Sequence, residues 1–292
     1  MRLASKAATK FLAALMVLGL LASAAGLAVA RTTVAAAGQT LAPSQTQVHT
    51  QAQACQKPVY LTFDTGHMGV ADLVAEVLRR HDVRVTFFMA SERTISGGGS
   101  LDNTWTDWWR ARRAEGHAFG SHTYDHVYWV SDLEDGRFRV RPTFGPQAGK
   151  TQAWNASQYC EELGRVAARF TDMTGAQISP LFRAPGGKTS ASLLNAAKQC
   201  GYQHVGWSNA GFLGDELSSE RFSNQRLLEQ ALGNIRSGDI LMAHLGIWSR
   251  KDPWAPAVLE PLIVGLKQKG FCFRTLDEHP QYGKRASSAQ IN

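Results

Sequence analysis

Apolar and polar positions alternate between two rhythms along most of this chain. VYLTF (59–63) is a short, nearly continuous apolar run of strand length, and VADLVAEVLRRH (70–81) follows with apolar residues at three- and four-residue spacing. The same couplet recurs: VRVTFF (83–88) before DWWRARRAEG, HAFGS (117–121) before SQYCEELGRVAARFTDM, and ISPLFR (178–183) before SLLNAAKQCG. It continues with YQHVGW (202–207) before NQRLLEQALGNIRSG, DILMAH (239–244) before AVLEPLIVGLKQKG, and FCFRTL (271–276) at the end. Seven strands separated by six helical segments predict a single-domain parallel α/β fold, either a (β/α) barrel or a doubly wound sheet. The rhythm breaks between Thr123 and Ala156, where Tyr124, Tyr128, Trp129, Phe138, Phe144 and Trp154 lie among Gly, Pro and charged residues. A loop of that length is expected to be functional, here as a wall of a groove.

The N-terminus adds an address. Arg2, Lys6 and Lys10 precede an apolar run from Phe11 to Leu27 that closes on Ala28-Val29-Ala30, the pattern of a cleaved secretory signal over residues 1–30. Cleavage implies a secreted or periplasmic protein without stable membrane insertion. Residues 31–56, rich in Gln, Thr and Ala, read as a flexible linker, 57–279 as the one folded domain and 280–292 as a C-terminal tail. Loss of the three basic residues lowers the net charge from +7 to +4, and no basic helix with interleaved aromatics points to nucleic acid. Cys55, Cys160, Cys200 and Cys272 form no C-x-x-C pair, which excludes a zinc ribbon; in an oxidising compartment they predict disulfides, with Cys55 and Cys272 neighbours if the sheet closes.

Chemistry collects at the C-terminal ends of the strands, the edge where parallel α/β folds build active sites. Asp64 follows the first strand, His122 the third, Arg183 the fourth, Trp207 the fifth and His244 the sixth. His122 and His126 in SHTYDH are four apart, so on one helical turn both imidazoles would face one metal ion. Asp64 could cap the next helix or serve as a general base, and His244 could protonate a leaving amine. Arg183 could hold Asp64 ionised through a bidentate contact.

Taken together, the segments Thr62-Phe63-Asp64-Thr65-Gly66, Ser121-His122 through His126, Arg183-Ala184-Pro185-Gly186-Gly187, Trp207-Ser208 and Met242-Ala243-His244 resemble, in order, the motifs of the NodB-homology polysaccharide deacetylases, carbohydrate esterase family 4. The resemblance implies a distorted or incomplete (β/α) barrel of about seven parallel strands. It implies a divalent metal (zinc, cobalt or magnesium) on His122 and His126, Asp64 as base, His244 as acid, Arg183 as tether of Asp64, and an oxyanion contact near Gly186. The partner would be an N-acetylated polysaccharide of the cell envelope, with Thr65, Gly186, Trp207 and Tyr124 as candidate substrate contacts; the oligomeric state is left open.

Two positions depart from the pattern. Thr65 stands where the family carries a second acid that completes the metal site; a subgroup resembling the peptidoglycan muramic acid deacetylases carries a neutral Asn there, so peptidoglycan is the favoured substrate, and His67 or Asp125 are candidate replacement ligands. The Asp that braces the Arg has no fixed place in WSNAGFLGDE, which makes Asp215 the candidate. Rival readings are a sugar-binding relative that lost its metal, a serine esterase using Ser208 in GWSNA, and a deacylase for another acylated sugar or a small amide.

Overall fold

The first strand, β1 (Pro58–Asp64), is buried along almost its whole length, which explains why its sequence is a continuous apolar run instead of an alternating one. The computed structural model describes residues 55–283; the expected signal peptide, nearly all of the linker and most of the C-terminal tail lie outside the described residues. β2 (Thr86–Met89) and β3 (Ala118–Ser121) continue the sheet from β1. Between them run helices α1 (Ala71–Arg80) and α2 (Thr106–Ala114).

After β3 the chain departs from the expected loop. Residues 123–156 contain a three-stranded antiparallel sheet of β4 (Val127–Asp132), β5 (Phe138–Pro142) and β6 (Gln152–Trp154). β5 alternates buried Phe138, Val140 and Pro142 with exposed arginines, a period-two pattern hidden in the sequence by the turns that bracket it. Phe138 packs against Tyr159 in the core, so part of the aromatic content expected in the groove wall is structural.

The regular alternation then resumes through α3 (Ala156–Thr174), β7 (Leu181–Phe182), α4 (Ala191–Gln199), β8 (Gln203–His204), α5 (Asn224–Asn234), β9 (Ile240–His244), α6 (Glu260–Gln268) and β10 (Cys272–Phe273). α3 starts where Asn155 and Gln158 form a reciprocal capping box and stops at Gly175 in the left-handed region, φ 70°. All seven strands of the main sheet pair in parallel; β9 lies beside β1, and the path runs on through β2, β3 and β7 to β8. β8 and β9 do not pair as strands. The segment after β8 closes the gap instead: Ser208 N–H donates to Ile240 O at 3.1 Å and Leu213 N–H to Met242 O at 3.3 Å. The architecture is therefore an α/β incomplete barrel, as expected. Ser208 takes part in that closure, its hydroxyl accepting from Ile240 N–H at 3.0 Å, and among the described residues it has no histidine partner of the kind an esterase nucleophile needs.

Two disulfides fasten the periphery, Cys55–Cys272 and Cys160–Cys200. The first ties the last residues of the expected linker to β10, so the linker's end belongs to the domain; Tyr282, at the start of the expected tail, likewise packs against the core. Replacing Cys55 and Cys272 together by Ala should lower stability by about 2–5 kcal/mol through a less constrained unfolded chain, read from urea melts of the two proteins.

Candidate active site

Each polar side chain of the site is placed by the end of a buried strand. Asp64 and His244 are register partners on β1 and β9, so their backbones stand side by side at the same rim. Arg183, one residue beyond β7, is fully buried. Its Nη1 donates to Asp64 Oδ1 at 2.7 Å and to Thr62 Oγ1 at 2.8 Å, and its Nε and Nη2 donate to the carbonyls of Val205 and Gly206. The guanidinium also lies 4.3 Å from the Phe88 ring centroid. The contact with Asp64 is single, not the expected bidentate one, because the other donors are spent on the backbone between β8 and the closing segment. Asp64 Oδ2 is thereby left facing the cavity. Burial pushes the Asp64 carboxyl up, but the Arg183 guanidinium together with His122 and His244 holds the group below the usual carboxylate range.

His122 and His126 do not share a helical turn. Thr123 (φ 60°) and His126 (φ 48°) adopt left-handed backbone in a tight turn, held where the Thr123 hydroxyl accepts from Val127 N–H at 2.7 Å. The turn nevertheless brings the two imidazoles to 5.0 Å between ring centroids. His122 Nδ1 donates to the Arg183 carbonyl at 2.8 Å. His126 Nδ1 is hydrogen-bonded to Thr143 Oγ1 at 2.8 Å. The carbonyl partner fixes the His122 ring in the tautomer that leaves Nε2 as a bare acceptor. Burial drives the pKa of His122 down to about 4, keeping it neutral.

His244 is poised the opposite way. Burial alone would depress its pKa, but Asp215, joined by Asp64 and Glu216, raises it to about 9. Asp215 Oδ2 accepts the His244 backbone N–H at 2.7 Å, and both carboxylate oxygens lie 3.1 Å from Nδ1. Asp215 therefore braces His244 and not Arg183.

Glu92, three residues beyond β2, was not anticipated. Its Oε2 accepts from the Thr65 hydroxyl at 2.6 Å and its Oε1 stands 3.8 Å from His126 Nε2. Burial opposes its charge, yet the facing histidines and the Thr65 hydrogen bond hold its carboxyl below the usual range. Thr65 is buried against Glu92 and Ala90 N–H and does not line the cavity. His67 turns away, its Nδ1 accepting from Gly69 N–H, and Asp125 is held by Arg165 at 2.9 Å, so neither stands at the histidines.

Asp64, Glu92, His122, His126 and His244 open into one cavity, walled by Tyr128, Gly186, Trp207, Glu216 and Trp248. Gly186 is at φ 62°, and a side chain there would meet the Tyr128 ring at 2.7 Å. Tyr124 is not in the wall; it stacks under Arg165, and Tyr128 takes the expected place.

Residues 51–205 match the model of the polysaccharide deacetylase family. This chain belongs to that family. As a polysaccharide deacetylase it is a hydrolase of carbon–nitrogen amide bonds. It is 28% identical over 231 residues to a chitooligosaccharide deacetylase of Azorhizobium caulinodans, spanning 76% of this chain and 93% of the relative. It is 29% identical over 227 residues to the peptidoglycan-N-acetylmuramic acid deacetylase PdaA of Bacillus subtilis, spanning 76% and 71%. Among solved structures, a family 4 acetyl xylan esterase from Clostridium thermocellum in complex with a cobalt ion shares the fold at TM-score 0.58 and 21% identity, over 76% of this chain and 89% of that one.

The deacetylase presents a donor set suited to a cation. Two imidazoles face two carboxylates, with His122 Nε2 3.6 Å from Asp64 Oδ2 and His126 Nε2 3.8 Å from Glu92 Oε1. Neighbouring ligands on a tetrahedral ion stand about 3.3–3.4 Å apart at bond lengths of about 2.0–2.1 Å, a few tenths tighter than these pairs. Accordingly, among the described residues no three such side chains form a closed ligand cage.

Proposed function

We propose that this deacetylase is exported and removes acetyl groups from N-acetylated sugars of the cell envelope, peptidoglycan foremost, with a divalent ion such as zinc, cobalt or magnesium held by His122 and His126. The observation that carries this reading is the pair Asp64 and His244, one held ionised and the other held protonated, in register on neighbouring strands at one cavity. The ion would act as a Lewis acid on the acetyl carbonyl and acidify water.

In this reading Asp64 Oδ2 accepts the proton of the attacking water while Arg183 holds the other oxygen. The backbone N–H near Gly186 stabilises the oxyanion. The carbonyl–nitrogen bond breaks, and His244 delivers its Nε2 proton to the departing sugar amine; acetate and a free amino sugar result. Trp207 and Tyr128 flank the acetamido group. The relatives that act on peptidoglycan and chitooligosaccharide support the substrate class, and the basic, apolar start of the chain supports export. No helix among the described residues is long and apolar enough to cross a membrane.

Acetate release from peptidoglycan and from chitin oligomers, with zinc, cobalt or magnesium added after chelation, tests the proposal. Release restored by metal and greatest on peptidoglycan is expected. Absence of release from every N-acetylated polymer, or release indifferent to chelation, would overturn the corresponding part.

The His244–Asp215 pair sets a pH limit. Because the folded pKa of His244 lies above the ordinary value of 6.5, its charge stabilises the fold fully below that value, and the contribution is lost as pH rises through about 9. The alkaline limb of kcat/KM should therefore lie near pH 9. In Asp215→Asn it should move towards neutrality or below, measured as a pH profile of acetate release.

A further inference from the structure

We infer that Glu92 is the carboxylate ligand of the metal, oriented by the Thr65 hydroxyl; this rests on the proposal that His122 and His126 hold that ion.

Glu92 is not a loosely hung surface acid. Its backbone N–H donates to Ser100 Oγ at 3.0 Å and its carbonyl accepts from Ser100 N–H at 2.8 Å, while Ser100 Oγ donates to Ala90 O. Ser100 is itself fully buried, so the base of the loop between residues 92 and 100 is fixed on both sides. The carboxylate is fixed as well. Thr65 Oγ1 accepts from Ala90 N–H at 3.1 Å, which leaves its hydrogen to donate to Glu92 Oε2 at 2.6 Å. With Oε2 so engaged, Oε1 points at His126 Nε2.

The carboxylate oxygen and the imidazole nitrogen face each other across 3.8 Å at the edge of the cavity, a few tenths wider than two ligands on one tetrahedral ion. A carboxylate also supplies negative charge that imidazole ligands lack, as hard divalent ions require.

The same geometry explains why position 65 is a neutral hydroxyl in this chain. An Asp there would put a second carboxylate against Glu92, within reach of the Oε2 that the hydroxyl now satisfies. The acid stands instead in the loop after the neighbouring strand β2, and Thr65 is the group that orients it.

Metal binding, independent of turnover, tests the assignment. Zinc is titrated calorimetrically into the chelator-stripped protein, and cobalt is followed by its visible absorption, for wild type, His122→Ala, Glu92→Gln and the swap Thr65→Asp/Glu92→Gln. Thermal melts of the metal-free forms report folding. Wild type should bind one ion, and Glu92→Gln should bind about 10- to 100-fold more weakly with an altered cobalt spectrum. The swap should recover most of that loss. Zinc affinity in Glu92→Gln equal to wild type, with binding lost in His122→Ala, would overturn the role of Glu92 while leaving the histidine site intact. A loss that the swap does not recover would mark Glu92 as structural and also overturn the inference. Absence of binding in wild type would overturn both this inference and the proposal beneath it.

Discussion

Asp64→Asn should reduce the kcat of acetate release by about 10²–10⁴-fold, the range a positioned general base contributes, with little change in KM. The side chain keeps its volume and an oxygen for Arg183, but it can no longer take a proton from water. The substitution also leaves the neighbouring acceptors in place, so metal bound at the histidines should be retained in part. A variant with zinc content near wild type and turnover collapsed would identify Asp64 with proton transfer. Turnover within about tenfold of wild type would exclude it from that role and point to Glu92 or another group.

Arg183→Met should destabilise the protein by about 3–5 kcal/mol, among the largest effects a single substitution can have here. Arg183 is wholly buried and binds Asp64, Thr62 and two carbonyls at once. Methionine fills comparable volume but leaves the Asp64 charge and both carbonyls without their buried donor. The effect should depend on pH with a definite sign. In wild type the Asp64 carboxyl is depressed, so its stabilising contribution is present above its ordinary value near 3.8 and lost as pH falls through the lower folded value. The gap in stability between the two proteins, measured by urea unfolding, should therefore be widest near neutrality and narrow in acid. A constant gap from neutral pH down to about 3 would mean that the loss is one of packing alone.

Much of the fold was legible because each element states its own burial. A strand covered on both faces, such as β1, must be apolar throughout, and an amphipathic helix such as α1 must repeat at helical spacing, so the seven parallel strands and six helices stood out. The small antiparallel sheet between residues 127 and 154 did not, since its short strands are interrupted by turns and one of them, β5, shows its period only over five residues. The rule that flagged Asp64, His122, Arg183, Trp207 and His244, a polar residue at the end of a buried strand, also applies to β2. Carried past Met89 by three residues, it reaches Glu92.

By itself, then, the sequence determined the parallel α/β class, the strand ends that bear chemistry and the family, because burial patterns and motif order are written locally. Only the tertiary structure decided the pairing among those groups: Asp215 with His244 instead of Arg183, Tyr128 instead of Tyr124 in the wall, and Glu92 beside Thr65 instead of His67 or Asp125. Which side chain reaches which depends on the turn at Thr123 and His126, on the register of β1 with β9, and on how Ser100 pins the loop after β2. The pairings themselves join residues distant in the chain, Thr65 with Glu92 and Asp215 with His244, and their distances of about 3 Å follow from the closure of the barrel, not from spacing along it.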